Sequence, residues 1–483
     1  VAVENPNRFD LLRVPLLGGF LRWRWSRMAL QVGVFALALL MVAHAFFGPS
    51  LASKNLATLL TWVHFRGLVV LVLLLAGNFF CMACPFMLPR DLARRWISPR
   101  WNWPSKLRNK GPAIVLFVAV LFLYEWLDLW SDPWATGCLI VGYFAAAFLV
   151  DAFFKRASFC KFVCPVGQFN FLGATVSPLE VAVRNPSVCS ECRTKDCITG
   201  RWEDRSGAFP KLIQRGCELE LYQPRKVGNL DCTFCMDCVQ ACPHGNVGIL
   251  ARTPGEELAQ NGPRSGVGAL ERQSSWTILM IVFVFGALLN AFAMVSPVYA
   301  LQQAIARGTG LSVEGATLAI VFGLALVIEP LLLLGGAAWA TRLVVSSSDS
   351  LWKVVNRFAR SLVPLGFGVW LAHYGFHFFT GALTIIPVTQ SAVQSATGMS
   401  LLGAPLWQLG GLPERIVYPM ELGFLGLGLL GSLLVCWRLA RDYAPARPIG
   451  PFAPWAVVSL MLFATACWTL SQPMDMRGTF VAA

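Results

Sequence analysis

The chain has 483 residues, of which 56% are hydrophobic and only 13% charged, with a mean hydropathy of +0.59. A soluble domain carries about 25% charged residues, so this composition excludes a chain folded wholly in water. The formal net charge of +13 does not read as a nucleic-acid surface, because the basic residues lie in short segments between apolar runs, where membrane proteins collect Lys and Arg.

Residues 1–27 form a polar, basic segment with Arg8, Arg13, Arg22, Arg24 and Arg27. No small-residue cleavage site follows the first apolar run, so insertion is expected through internal helices, without a signal peptide. A helix needs about 20 mostly apolar residues to cross the bilayer core. Nine such helices are predicted, over 28–47, 60–80, 112–130, 134–154, 276–298, 316–340, 362–383, 420–437 and 454–470. Four make a membrane region over 28–154 and five a second over 276–483, with a polar segment at 155–275 between them. If nine helices alternate, the N-terminal arginines fall on one side with Arg90, Arg94, Arg95, Arg100, Lys106, Arg108 and Lys110. Arg342, Lys353, Arg357, Arg360, Arg438, Arg441 and Arg447 join them, while Asp128 and Asp132 lie opposite. By the positive-inside rule the N-terminus and the polar segment are cytoplasmic and the C-terminus is outside.

Twelve of the 15 cysteines stand in close groups between Cys81 and Cys242. Disulfide frameworks belong to short, loop-rich secreted chains, so these groups read as metal ligands. The strongest is Cys232-x2-Cys235-x2-Cys238-x3-Cys242-Pro243. Three thiolates at this spacing wrap one cubane, and the fourth reaches the other cluster in two-cluster ferredoxins. A structural zinc site also uses paired cysteines, but a tight run of this kind suits iron. The partner run, Cys189-x2-Cys192-x4-Cys197 followed by Cys217, is irregular. Cross-ligation assigns Cys189, Cys192, Cys197 and Cys242 to one [4Fe–4S] cluster, with a [3Fe–4S] form as the alternative there. Cys217, Cys232, Cys235 and Cys238 are assigned to a second [4Fe–4S] cluster. His244 follows the last ligand and either tunes the cluster or faces water.

Two further pairs mark a weak internal repeat. One helical hairpin ends in Cys81-x2-Cys84-Pro85 and the next in Cys160-x3-Cys164-Pro165, both at the predicted cytoplasmic boundary. The four thiols form either a metal or thiol redox site or a set of packed helix-end cysteines. Cys138, Cys436 and Cys467 are isolated in apolar runs and read as small buried hydrophobes.

These residues resemble the membrane polyferredoxins. That group includes the quinol-dehydrogenase ferredoxin of periplasmic nitrate reduction, the nitrous-oxide-reductase maturation protein and the cytochrome-oxidase accessory ferredoxins. The resemblance covers residues 60–250, about half the chain. Five predicted helices follow the clusters, unlike in the small quinol dehydrogenases, and no flavin-binding domain of the nitrous-oxide type is read within these residues. The resemblance implies a bacterial inner-membrane, multi-pass protein with redox-subunit partners and electrons drawn from quinol or a cytoplasmic donor.

Four histidines lie in predicted helices: His44, His64, His373 and His377. Polar side chains at membrane depth are functional candidates, and His373 and His377, four apart, share a helix face. Three readings stand: haem b held by histidines of facing helices, a quinone site, or hydrogen bonding between helices. Glu329 before Pro330 marks either a kink or a proton path. No nucleotide-binding glycine loop is present, so no bound NAD or FAD is expected.

The fold expected is an α-helical membrane protein with about nine spans and an inserted cytoplasmic two-cluster ferredoxin-like α+β domain. The function expected is that of an electron-transfer subunit of a respiratory oxidoreductase. A maturation or metal-reductase accessory protein is the alternative, and a cluster-driven transporter is disfavoured by the scarcity of membrane carboxylates.

Overall fold

A computed structural model describes residues 8–94, 96–203, 211–311 and 313–474. Arg95, counted above among the basic residues, lies outside them. Among the described residues seven helices are long and apolar enough to cross a bilayer: Ser26–Phe47, Leu56–Leu75, Pro133–Phe153, Ser274–Phe292, Glu314–Val345, Glu414–Tyr443 and Ile449–Leu470. An eighth span results if Leu351–Gly381 and Ile385–Thr397, bent by 56° at their junction, are taken together. The predicted run at 112–130 is the shorter helix Gly111–Trp126. Its 16 residues rise about 24 Å, less than the roughly 30 Å hydrocarbon core, and the chain leaves it for turns in which Asp128 takes a φ of +45°.

One compact unit comprises residues 1–36, 72–113 and 144–273. Its frame is a two-stranded antiparallel sheet, Leu179–Val183 paired with Val247–Ala251, in the register Val181↔Ile249 and Val183↔Val247. Alternation buries Leu179 and Val181 and leaves Glu180 and Ala182 less covered, the period-2 pattern of a half-buried strand. Arg8 Nε donates to Ala251 O at 2.6 Å, Arg8 also pairs with Glu180, and Asp10 receives Arg184, so the N-terminal residues cover the sheet edge. The sheet packs on a core of Leu12, Phe171, Val181, Leu221, Phe234 and Ile249. Because the strands flank the cysteine runs, their pairing closes that long segment into one loop-rich body.

The other unit comprises 37–71, 114–143 and 274–483. Val363–Gly381 packs against Glu414–Tyr443 and Ser274–Phe292. The approach to Glu414–Tyr443 is close because a Cβ at Gly368 would stand 2.9 Å from Phe424 O, and one at Gly428 2.9 Å from Pro364 O. Small residues give membrane helices this proximity. Ser432 Oγ accepts from Leu365 N and Trp370 Nε1 donates to Phe283 O, which satisfies polar groups away from water. Pro330 lacks an amide hydrogen, and a wide helical turn at Leu324–Ile328 precedes it, so the helix continues through to Val345.

Candidate metal centres

Cys189 lies on the short helix Pro186–Glu191, capped by Asn185, and Cys197 on Asp196–Thr199. Cys242 ends the helix Asp237–Ala241. Cys189, Cys192, Cys197 and Cys242 together line one open cleft of about 360 Å³. Asn246 donates to two of the sulfurs, through Nδ2 to Cys189 and through its backbone amide to Cys242, both at 3.3 Å. Burial, with Cys242, Cys189 and Cys192 as electrostatic neighbours, pushes the Cys197 thiol up to about 11. This is the first predicted ligand group, irregular spacing included.

Cys217, Cys232, Cys235 and Cys238 form the second group. Burial, then Cys217, Cys235 and Cys232, drives the Cys238 thiol well above its ordinary value. Burial and Cys232 likewise push Cys217 up to about 12. The loop that carries three of these cysteines has positive φ at Asp231, Phe234 and Met236. A bulky residue such as Phe234 at φ +53° is a conformational outlier, and Leu221 N donates to Cys217 Sγ at 3.4 Å. Cys217 N donates to Cys197 O at 3.0 Å, so the two groups meet through the backbone. The donor sets fit anionic clusters: four thiols each, with amides aimed at sulfur. Among the described residues no group of three or more His, Cys, Asp or Glu is placed to hold a metal ion.

The basic residues near these loops do more than mark a membrane face. Lys110 Nζ lies 2.5 Å from Asp231, Arg27 is 2.9 Å from Asp237, and Glu218 receives Arg90 at 3.1 Å and Arg94 at 2.6 Å. Asp231 precedes Cys232, Asp237 precedes Cys238 and Glu218 follows Cys217, so each clamp holds the backbone beside a second-group cysteine. Burial alone would raise Glu218, but Arg90, Arg94 and Arg215 hold its carboxyl well below the usual range. Sequence reasoning missed these clamps. Their one signal is an acidic residue adjacent to each of three cysteines.

Cys81, Cys84, Cys160 and Cys164 are brought together in the same unit. Asn170 Nδ2 lies 3.4 Å from Cys81 Sγ, Cys160 Sγ lies 3.5 Å from Met87 Sδ, and Gly167 N donates to Cys164 Sγ at 3.2 Å. Burial and its neighbour Cys84 push Cys81 up to about 12. Burial, then Cys84 and Cys81, carries Cys164 well above its ordinary value.

The histidines belong to the second unit. His44 Nδ1 accepts from Leu56 N at 3.1 Å, and the His64 ring nitrogens lie 3.4 and 3.2 Å from Leu59 O and Ala382 O. His373 and His377 are buried with ring centroids 5.0 Å apart and edge to face. Both nitrogens of His373 and Nε2 of His377 are buried without a hydrogen-bond partner. Thus the pair on one helix comes together, whereas His44 and His64 engage backbone groups. The sequence reading passed over Arg66, which stands in a candidate span with its guanidinium 4.4, 4.1 and 4.9 Å from the ring centroids of Trp62, Tyr124 and Tyr374. Its signal was a lone cation inside an apolar run.

The chain is 24% identical over 210 residues to an uncharacterized protein of Methanocaldococcus jannaschii, covering 42% of this chain and 75% of that protein. It is 25% identical over 249 residues to the ferredoxin-type protein NapH of Escherichia coli, covering 47% and 82%. A putative electron transport protein of Escherichia coli, YccM, is 30% identical over 97 residues, 20% of this chain and 22% of its own. No family model matches the chain, and no solved structure matches it significantly.

Proposed function

We propose that the chain is a membrane electron-transfer subunit whose eight loop cysteines hold two [4Fe–4S] clusters. One is held by Cys189, Cys192, Cys197 and Cys242, the other by Cys217, Cys232, Cys235 and Cys238. The observation that carries this reading is the sorting of those cysteines into two groups of four, joined by the Cys217–Cys197 backbone bond. Each cluster, when bound, accepts and releases one electron at a time. The protein's part is to hold the thiols in place through the Lys110, Arg27 and Arg90 clamps and to aim the Asn246 donors at sulfur, which favours the reduced state. The distant likeness to a ferredoxin-type protein and a putative electron transport protein supports the same reading.

The electrons exchange between these clusters and a quinone pool or a partner redox subunit of a respiratory complex. The haem reading needs His44 or His64 as the facing ligand, and both engage backbone groups, whereas nitrogens of His373 and His377 are unpartnered, which favours quinone over haem. With Gly111–Trp126 crossing a locally thinned bilayer and the bent pair counted as one span, the crossings number nine, and the basic segments then support a bacterial inner-membrane protein with the cysteine loops cytoplasmic and the C-terminus outside. Anaerobic purification should give iron and acid-labile sulfide with two interacting reduced-cluster signals by electron paramagnetic resonance; a zinc-loaded, iron-free protein would sink the proposal. His373→Leu should abolish quinol oxidation while leaving those signals intact, and unaltered oxidation would remove the quinone assignment.

A further inference from the structure

We propose that Cys81, Cys84, Cys160 and Cys164 hold a third [4Fe–4S] cluster, next to the second loop group. The inference rests on the two-cluster reading and extends it by a site in the helix-end motifs.

The two motifs converge although Cys84 and Cys160 stand 76 positions apart. Asn170, on the helix that Cys164 caps, reaches Cys81, and Met87, three residues after Cys84, reaches Cys160. The unequal spacings are reconciled by the backbone. Cys81 lies on an ordinary helical turn, Phe79–Met82. Cys160 lies on a wide turn, Phe159–Val163, closed by Cys164 N donating to Phe159 O at 2.8 Å. That wide turn absorbs the extra residue of the second motif, and a proline follows each pair.

Packed, protonated cysteines would explain burial but not the donors. A neutral thiol is a weak acceptor, and although Gly167 N bonds Cys164 Sγ as the cap of Pro165–Gly173, Asn170 Nδ2 is aimed at Cys81 Sγ with no such local cause. Arg27 and Arg90 lie close enough to Cys84 to favour its thiolate, while Arg27 also pairs with Asp237 and Arg90 with Asp91, Asp151 and Glu218. All four groups are thiols, a soft set that suits a cluster. The position also makes sense. Cys81 and Cys160 share one cleft of about 360 Å³ with Cys217 and Cys235, and Asn78 ties the motifs by accepting from Cys81 N while donating to Cys232 O at 3.0 Å. A cluster here exchanges single electrons with the second loop cluster; no bond forms or breaks.

The test is an anaerobic count of iron, sulfide, copper and zinc on the full chain in detergent. Three clusters give about 12 irons per chain, against about 8 for two. Cys160→Ser/Cys164→Ser should bring the count down to about 8 and keep both loop-cluster signals. A wild-type count of about 8 that this variant leaves unchanged overturns the third cluster, as does a single copper or zinc ion lost with the same cysteines. A wild-type count of about 4 or less overturns the two-cluster reading instead. Asn170→Leu leaves every ligand in place and should shift one of three reduction midpoints to more negative values; three unshifted midpoints, or only two, count against the site.

Discussion

Lys110→Met isolates the effect of one buried clamp. Lys110 Nζ and Asp231 Oδ1 are 2.5 Å apart with side chains 4% and 1% exposed. The lysine also donates to Lys161 O at 2.9 Å. Removing it leaves the Asp231 carboxylate buried without its partner, and breaking a buried pair in this way costs about 3–5 kcal/mol. Lys353 and Asp349 are also 2.5 Å apart, but that lysine is 66% exposed, and such a surface pair contributes about 0–1 kcal/mol. Distance is therefore held constant while burial differs. By circular dichroism in detergent, Lys110→Met should lower the thermal midpoint by on the order of 10 °C, with loss of the second-group cluster signal. Lys353→Met should shift it by no more than a few degrees. The double variant Lys110→Met/Asp231→Asn should regain much of the loss by removing the stranded charge. Asparagine is the suitable replacement because Asp231 sits at φ +59°, where Asn is tolerated. Equal effects of Lys110→Met and Lys353→Met would refute the argument from burial.

Gly77→Ala should destabilise the unit by about 1–3 kcal/mol, because Gly77 has φ +96° and a Cβ there would stand 2.7 Å from Phe234 Cζ; a thermal midpoint at the wild-type value would contradict this. Burial would raise Glu180, but Lys226, Arg252 and Arg8 hold its carboxyl below the ordinary range. Its stabilising effect is then present above the unfolded glutamate pKa and is lost as pH falls through the depressed folded value. Glu180→Gln should thus be less stable than wild type at neutral pH and converge with it under acid conditions, as unfolding curves across that range will register. Arg66→Leu removes the cation from its cage of Trp62, Tyr124 and Tyr374 and should abolish quinol oxidation with the iron count unchanged. Full activity would make Arg66 a packing residue.

The cysteine motifs were legible in the sequence because short-range spacing is visible in a motif, and the structure brings Cys189, Cys192, Cys197 and Cys242 to one cleft. The extra residues of the irregular Cys189–Cys197 run lie in a loop where Lys195 adopts φ +52°. The span at 112–130 was less legible, because hydropathy does not register where a helix breaks: Trp126 ends it and Asp128 turns left-handed. The clamps were illegible for a different reason. Arg27, Arg90 and Lys110 occur where positive-inside counting expects cations, and nothing in local sequence separates a cation facing lipid headgroups from one buried against a carboxylate 121 or 210 residues away. Pairing at such separations is a property of the fold, and it changes what the cations mean. Those that anchor Asp231, Asp237 and Glu218 are held near the second-group thiols. These pairs therefore hold the loops that carry those thiols, which is why removing one clamp should disturb stability and cluster retention together.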